Sequence, residues 1–330
     1  MNASPSLDTS LLADIGGTNT RFALSIAGCI RYEVEYRCQD HVSLVAATLA
    51  YLETLPGDVQ RPTQGAIAMA GPVNHDLVTM TNHPWTISVR QTREQLKLSR
   101  LIVLNDFTAL AMAIPALPQE SLTRLGGDMA RLDAPIALIG PGTGLGVSAL
   151  IPSNGNWLPL QGEGGHVALS AVTNEEFSVL SHLQTNANPV SAETLLSGPG
   201  LVRLYQALCA VRQEKARFVT PAQVTANAIS AEDAICVTTL EMFCAFLGTV
   251  ASDLVLTLGA YGGLYIGGGI VPKLDGYFER SGFRERFDAH VRYHSLLKSI
   301  PAYVIHAPHP AFLGLQRAFT SPGPRVESIT

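Results

Sequence analysis

Apolar residues open the chain's first clear segment at Leu11, Leu12, Ala13 and Ile15, then recur at Phe22, Leu24 and Ile26 in alternation with smaller or polar neighbours. Gly16-Gly17-Thr18-Asn19 lies between the two groups, so the pattern predicts a strand, a tight loop and a second strand. Leu44, Ala47, Leu49 and Leu52 are spaced as one face of a helix over 41–55. Residues 64–70 read as a buried strand closed by Gly71-Pro72. A helix starting near Thr92 precedes a strand over 101–104, which runs into Asn105-Asp106. A further helix is expected from about 108 to 114, stopped by Pro115 and Pro118.

The second half repeats the theme. Residues 136–139 predict a strand, Gly140-Pro141-Gly142-Thr143-Gly144 a loop, and 145–151 a strand again. The echo of the first hairpin suggests two related halves facing each other. A Gly-rich loop follows at Gly162-Glu163-Gly164-Gly165-His166, and long helices are expected over 175–184, 192–212 and 232–258. In the last of these, Leu240, Cys244, Leu247, Ala251, Leu254 and Leu258 share one face. With 330 residues and about 150 per domain, two domains joined by short crossings are expected, with a cleft between them.

Composition narrows the chemistry. Apolar residues make up 47% and charged residues only 15%, which excludes disorder, coiled coil and collagen. The net charge of −5 favours neither a nucleic-acid backbone nor an anionic membrane. A mean hydropathy of +0.21 raises the question of a membrane span. The longest uncharged stretch, 254–272, holds six glycines and a turn at Tyr261-Gly262-Gly263, so it reads as a helix end, a turn and a buried strand. The N-terminal ten residues carry no basic residue and no long apolar run, so no signal peptide is expected there. Five cysteines without a Cys-x-x-Cys pair point to reduced thiols and a cytoplasmic protein.

Neither Gly-rich loop is followed by the Lys of a Walker A motif, and both lead into strands where a dinucleotide-binding loop leads into a helix. Two strand–loop–strand hairpins suit a different task. Each could turn backbone N–H groups and a Thr hydroxyl toward a polyphosphate, glycine allowing positive φ and close approach. Asp14, at the end of the first strand, could hold Mg²⁺ through water. Either loop alone is also an ordinary β-turn; the pair, both carrying Gly and Thr, argues for phosphate.

Six motifs in one order carry a resemblance. They are Ala13-Asp14-Ile15-Gly16-Gly17-Thr18-Asn19, Leu104-Asn105-Asp106-Phe107-Thr108-Ala109, Gly140-Pro141-Gly142-Thr143-Gly144-Leu145-Gly146, Gly162-Glu163-Gly164-Gly165-His166, Leu196-Ser197-Gly198-Pro199-Gly200-Leu201 and Gly267-Gly268-Gly269-Ile270-Val271-Pro272. The chain resembles the bacterial glucokinases of the hexokinase/actin-like ATPase superfamily, over nearly its whole length. The resemblance implies an α/β actin-like ATPase (ribonuclease H-like) fold. Residues 1–116 plus 307–330 would form a small α/β domain and 117–306 a large α+β domain. It also implies transfer of phosphate from ATP to the 6-hydroxyl of glucose, with ATP and Mg²⁺ as cofactors, and a homodimer.

Residue by residue, the resemblance makes Asp106 the base and Asn105 a sugar-hydroxyl ligand. A helix N-cap is the competing reading of Asp106. Glu163 and His166 lie in a loop without a second metal-binding pair, and carboxylate plus imidazole suits vicinal hydroxyls. Glu193 matches the next sugar-binding position of the family, although Glu is favoured at a helix start in any case. Asp14, Gly16, Gly17, Thr18, Asn19, Gly142, Thr143 and Gly144 would hold the nucleotide phosphates, Asp14 also the metal. Gly267, Gly268 and Gly269, ahead of an expected helix, would let adenosine lie against the backbone. The 197–201 turn reads as a helix start without chemistry.

Other features have plainer readings. His290 and His294, four apart on an expected helix, and the pair His306 and His309 lack the further ligands a metal requires. Arg280, Arg284, Arg286 and Arg292 alternate with acids and read as a solvated helical face. Two departures from the family stand out: Pro141 removes one potential phosphate donor, and Leu315-Gln316-Arg317 stands where similar proteins carry small residues. The rivals are a hexose kinase of other specificity and a non-catalytic sugar-binding regulator. The Cys-rich zinc loop of the repressor/kinase family does not surround His166. Ten residues ahead of the first strand leave no room for a helix-turn-helix.

Overall fold

Leu11, Leu12, Ala13 and Ile15 are apolar on both sides of a pleat, so a strand built from them must be covered on both faces. The computed structural model describes residues 9–80, 85–184, 188–274 and 276–329. There β1 (Thr9–Ile15) lies inside a six-stranded sheet. It joins β2 (Asn19–Ile26), β3 (Cys29–Arg37), β4 (Gln64–Met69), β5 (Arg100–Asn105) and the C-terminal strand Val326–Ile329. The order is β3-β2-β1-β4-β5 followed by the C-terminal strand. The β1, β4 and β5 strands run parallel, while the other neighbours are antiparallel.

Both faces are covered. Leu11, Ala13 and Ile15 join one core with α1 (Leu44–Glu53) and α2 (Val89–Gln95), whereas Leu12 and Ala66 join another with α3 (Asp106–Ala113) and the helix Ala311–Ala318. This sheet and its helices belong to a first compact unit of residues 1–117, 153–161 and 307–330; residues 118–152 and 162–306 form a second.

The second unit builds the same five-strand pattern. Its strands β6 (Leu122–Arg124), β7 (Ile136–Pro141), β8 (Leu145–Ser153), β9 (Leu264–Ile266) and β10 (Ala302–Ile305) run β8-β7-β9-β10-β6. The β7/β9 and β9/β10 pairs are parallel and the β7/β8 and β10/β6 pairs antiparallel, as in β2-β1-β4-β5 and the C-terminal strand; a sixth strand, Asn156–Gln161, lies beyond β8. Helices α4 (Asn174–Leu183), α5 (Ala192–Leu195), α6 (Gly198–Val211), α7 (Pro221–Ile229) and α8 (Ala234–Leu258) belong to this unit. By length and composition α8 alone among the described residues could cross a membrane. Here it is a core helix, with Leu240, Phe243, Cys244, Leu247 and Ala251 fully buried. Asp233 caps its start by accepting the Cys236 N–H at 2.8 Å. All five cysteines are free thiols, and burial pushes Cys236 and Cys244 up to about 12.

Several expectations are corrected. The expected helix over 192–212 is two helices, because the chain leaves helical geometry at Leu196 and Ser197 recaps α6 by accepting the Gly200 N–H at 3.0 Å. Directly after Gly267–Gly269 the chain forms a 3₁₀ turn, Val271–Lys273, and the first α-helical turn comes at Tyr277–Arg280. The 162–166 loop ends in a 3₁₀ turn, Gly164–His166. His290 sits ahead of the helix His294–Ser299, its Nδ1 accepting the Tyr293 N–H at 3.0 Å. The basic cluster is a solvated face only in part: Arg280 and Arg292 are exposed, but the two between them are not. Arg286 pairs with the buried Glu176 at 2.7 Å, and Arg284 donates to the carbonyls of Leu297, Lys298 and Ile300. Alternation of sign in sequence cannot distinguish these from solvent-facing charges. The signal-peptide reading of the N-terminus concerns residues that lie mostly outside the described ones.

In the first unit the departure at Leu315-Gln316 is accommodated. Leu315 is buried, and the Gln316 amide donates to Ser25 Oγ at 2.9 Å and to the Gly28 carbonyl at 3.0 Å. Gly314 lets the helix Ala311–Ala318 approach α3, since a Cβ there would stand 1.8 Å from the Ala109 carbonyl oxygen. Gly314→Ala therefore forces the helix off α3 and should cost roughly 1–3 kcal/mol or more. Urea denaturation of the variant measures this; an unchanged midpoint would show that the contact yields freely.

Candidate active site

Parallel strands end together at their carboxyl edge, where ligands of open α/β sheets bind. In the first unit Ile15 is opposite Met69, and Met69 opposite Asn105. Asp14, the first hairpin turn and Asn105-Asp106 thus lie along one edge, two strands apart, roughly 10 Å at the usual strand spacing. Asn105, not Asp106, is the N-cap of α3: its Oδ1 accepts the Thr108 N–H at 3.1 Å. Its Nδ2 donates to the Gly71 carbonyl at 3.0 Å and to Asp106 Oδ1 at 3.1 Å. Asp106 occupies the first helical position, and the same Oδ1 accepts the Phe107 N–H at 2.9 Å. Its carboxylate is therefore oriented by two donors at a helix N-terminus, which favours the anion.

The first hairpin folds tightly. Gly16 N–H donates to the Asn19 carbonyl at 2.9 Å, so the amides of Gly17 and exposed Thr18 are the ones left at the turn. Cross-strand register sets Asp14 opposite Arg21, and Arg21 Nη1 stands 3.5 Å from Asp14 Oδ2. Glu35 on β3 accepts from Arg21 Nε and from Asn19 Nδ2, the latter at 2.9 Å. Arg21 and Glu35 are constituents that the sequence reading left unassigned. A cation opposite Asp14 in a short hairpin was a usable signal for Arg21. The β-bulge between Phe22 and Leu24 shifts the β3 register and hides Glu35 from such counting.

The second unit gathers its own set. Gly142 N–H donates to the Gly144 carbonyl at 2.7 Å, so this hairpin too turns one glycine amide inward and leaves the next two at its tip, beside the exposed Thr143. Pro141 is a buried β7 residue opposite Leu145 whose carbonyl accepts from Ile270 at 3.2 Å; its missing N–H falls in the strand and not at the tip. Gly16, Gly142 and Gly144 all avoid positive φ; a Cβ would be crowded at Gly16, 3.2 Å from the Asn19 carbonyl oxygen, and at Gly144, 2.5 Å from Glu193 Oε2, but not at Gly142. Gly268 is different. It has φ +79°, and a Cβ would stand 2.4 Å from the Pro141 carbonyl oxygen, so Gly267–Gly269 run against the end of β7.

Glu193 lies against the same hairpin, its Oε2 accepting the Leu145 N–H at 2.9 Å. His166 Nε2 is 3.9 Å from Glu193 Oε1 and its side chain is more than half exposed. Glu163 is exposed on the same loop, its carbonyl accepting the His166 N–H at 3.0 Å. Glu163, His166, Glu193, Gly142–Gly144 and Gly267–Gly269 are thus brought together within this unit.

Among the described residues no three His, Cys, Asp or Glu side chains converge on a metal position. Asp14 is a single carboxylate with 19% side-chain exposure at the start of the first hairpin turn. That donor set suits Mg²⁺, which takes one or two carboxylates and completes its shell with phosphate and water.

A family model described as Glucokinase matches residues 11–321. A glucokinase of Chromobacterium violaceum is 47% identical, over 92% of this chain and 87% of that protein. One of Aromatoleum aromaticum is 45% identical over 93% of each. Among solved structures, a glucokinase from an Antarctic psychrotroph superposes with a TM-score of 0.84 at 35% identity, over 94% of this chain and 98% of that one.

Burial pushes the Asp14 carboxyl above its ordinary value of 3.8; Arg21 and His309 oppose the rise without cancelling it. A carboxyl raised in the fold binds its proton more tightly folded than unfolded, so stability falls as pH rises through the window above 3.8. Asp14→Asn, in buffer free of metal and nucleotide, should therefore unfold at a higher temperature than the parent protein at pH 7, the gap closing toward pH 4. Thermal melts at both pH values check this, and a lower midpoint at pH 7 contradicts it.

Proposed function

The chain belongs to the glucokinase family and transfers phosphate from ATP to glucose; from that premise we propose that Asp106 is the base and that the two Gly-Thr hairpins hold the nucleotide's phosphates. The observation that carries this reading is the pair of matching carboxyl-edge hairpins, each with an exposed Thr and two tip amides that have no backbone partner among the described residues. Asp106 accepts the proton of the glucose 6-hydroxyl as that oxygen bonds to the γ-phosphorus and the bond to the β-phosphate oxygen breaks, giving glucose 6-phosphate and ADP. Phosphoryl transfer is largely loose, so the carboxylate chiefly orients the hydroxyl and takes its proton late.

Asn105, Glu163, His166 and Glu193 hold the sugar's other hydroxyls by accepting and donating hydrogen bonds. Gly16, Gly17, Thr18, Asn19, Gly142, Thr143 and Gly144 form the phosphate contacts, and Gly267, Gly268 and Gly269 lie under the adenosine. Mg²⁺, held through Asp14, neutralises phosphate charge when bound. A homodimer is proposed on the family resemblance alone, and a cytoplasmic location on the five free cysteines.

A coupled assay across a hexose panel with ATP and Mg²⁺ tests the reading: glucose should give the highest turnover, and no sugar-dependent ADP release with any hexose would defeat it. Asp106→Asn should lower kcat by about 10²–10⁴-fold, the usual range for a lost general base. Its glucose affinity, measured by calorimetry, should stay near that of the parent protein because the positioning contacts persist. Parental turnover in that variant removes Asp106 from the mechanism.

A further inference from the structure

The peptide of Leu145 is held from two sides. Its N–H donates to Glu193 Oε2 at 2.9 Å, and its carbonyl oxygen packs against Gly165, where a Cβ would intrude to 2.1 Å. Gly165 belongs to the loop that carries Glu163 and His166, and Leu145 is the first β8 residue after the Gly142–Gly144 turn. A second tie runs from the Gly198 N–H to the Gly142 carbonyl at 2.8 Å. The Glu193 segment and the 163–166 loop are joined in turn, since the Ala192 N–H donates to the Val167 carbonyl at 2.9 Å. Three of the groups read as sugar ligands, Glu163, His166 and Glu193, are therefore mounted on the hairpin read as a phosphate ligand, all within the second unit.

We propose that Glu193 couples the two substrates directly. Its Oε2 is tied to the hairpin through Leu145, while its Oε1, 3.9 Å from His166 Nε2, accepts a sugar hydroxyl. One carboxylate thus bridges the hairpin tip and the sugar contact, and a shift of either moves the other. This rests on the reading of Glu193 as a sugar ligand. The coupling needs no motion between units, and by linkage it is reciprocal: sugar must tighten nucleotide binding by the same factor that nucleotide tightens sugar binding.

Gly144 provides the test. A Cβ there would stand 2.5 Å from Glu193 Oε2, and the relief available is movement of that flexible side-chain end, so Gly144→Ala should fold while displacing the carboxylate. A Cβ at Gly142 would meet only Gly269 N, at an ordinary 3.8 Å. Glucose is titrated calorimetrically into the parent protein and both variants with no nucleotide present. The expected result is about tenfold weaker glucose binding in Gly144→Ala, within the usual span of coupling between sites, and about a twofold change or less in Gly142→Ala.

Parental affinity in a folded Gly144→Ala, or equal loss in both variants, overturns the coupling. Should Gly144→Ala fail to fold, Glu193→Gln is titrated with a non-hydrolysable ATP analogue, with and without glucose. The enhancement by glucose seen in the parent should fall toward one; an undiminished enhancement overturns the proposal. A parent protein that takes up no glucose at all defeats the kinase reading instead.

Discussion

A backbone amide can bind phosphate only if nothing in the protein has already claimed it, and a short β-hairpin tends to claim its own. Both hairpins here meet that constraint in the same way. The first glycine of each turn donates inward, Gly16 to Asn19 and Gly142 to Gly144, so the amides that follow are left at the tip. Much of the surrounding architecture serves to hold these tips in place. In the first unit Glu35 bridges Arg21 and Asn19; in the second Glu193 and Gly198 grip the hairpin at Leu145 and Gly142.

The repeated strand pattern explains why the tips fall where they do. In each unit a hairpin enters the sheet beside two parallel strands, so the turn lies at the carboxyl edge where the next strands also end. In the first unit that edge also carries Asn105-Asp106, and in the second Gly267–Gly269. This chain shares the actin-like ATPase fold with its glucokinase relatives.

The parts of this plan that the sequence exposed are those with local signals. Continuous apolar runs ending in Gly-Thr turns identified both hairpins, and the 3.6-residue spacing of Leu240, Cys244, Leu247 and Ala251 marked the helix that became the second unit's core. Cap identity was harder. Asn105 and Asp106 are both good caps, and only the observed bond to Thr108 shows that Asn105 takes the role and leaves Asp106 at the first helical turn. Long-range partners were invisible: Glu176 and Arg286 are 110 positions apart, and nothing in either neighbourhood marks their ion pair as buried. The same holds for Glu193 and Leu145, which are 48 positions apart.

The most direct measurement is a crystal structure of the protein with glucose and a non-hydrolysable ATP analogue. It should show phosphate oxygens at hydrogen-bond distance from the amides of residues 17–18 and 143–144. It should also show the Asp106 carboxylate about 2.6–3.2 Å from the sugar's 6-hydroxyl oxygen. Phosphates bound away from both turns, or an Asp106 side chain directed elsewhere, would contradict the account.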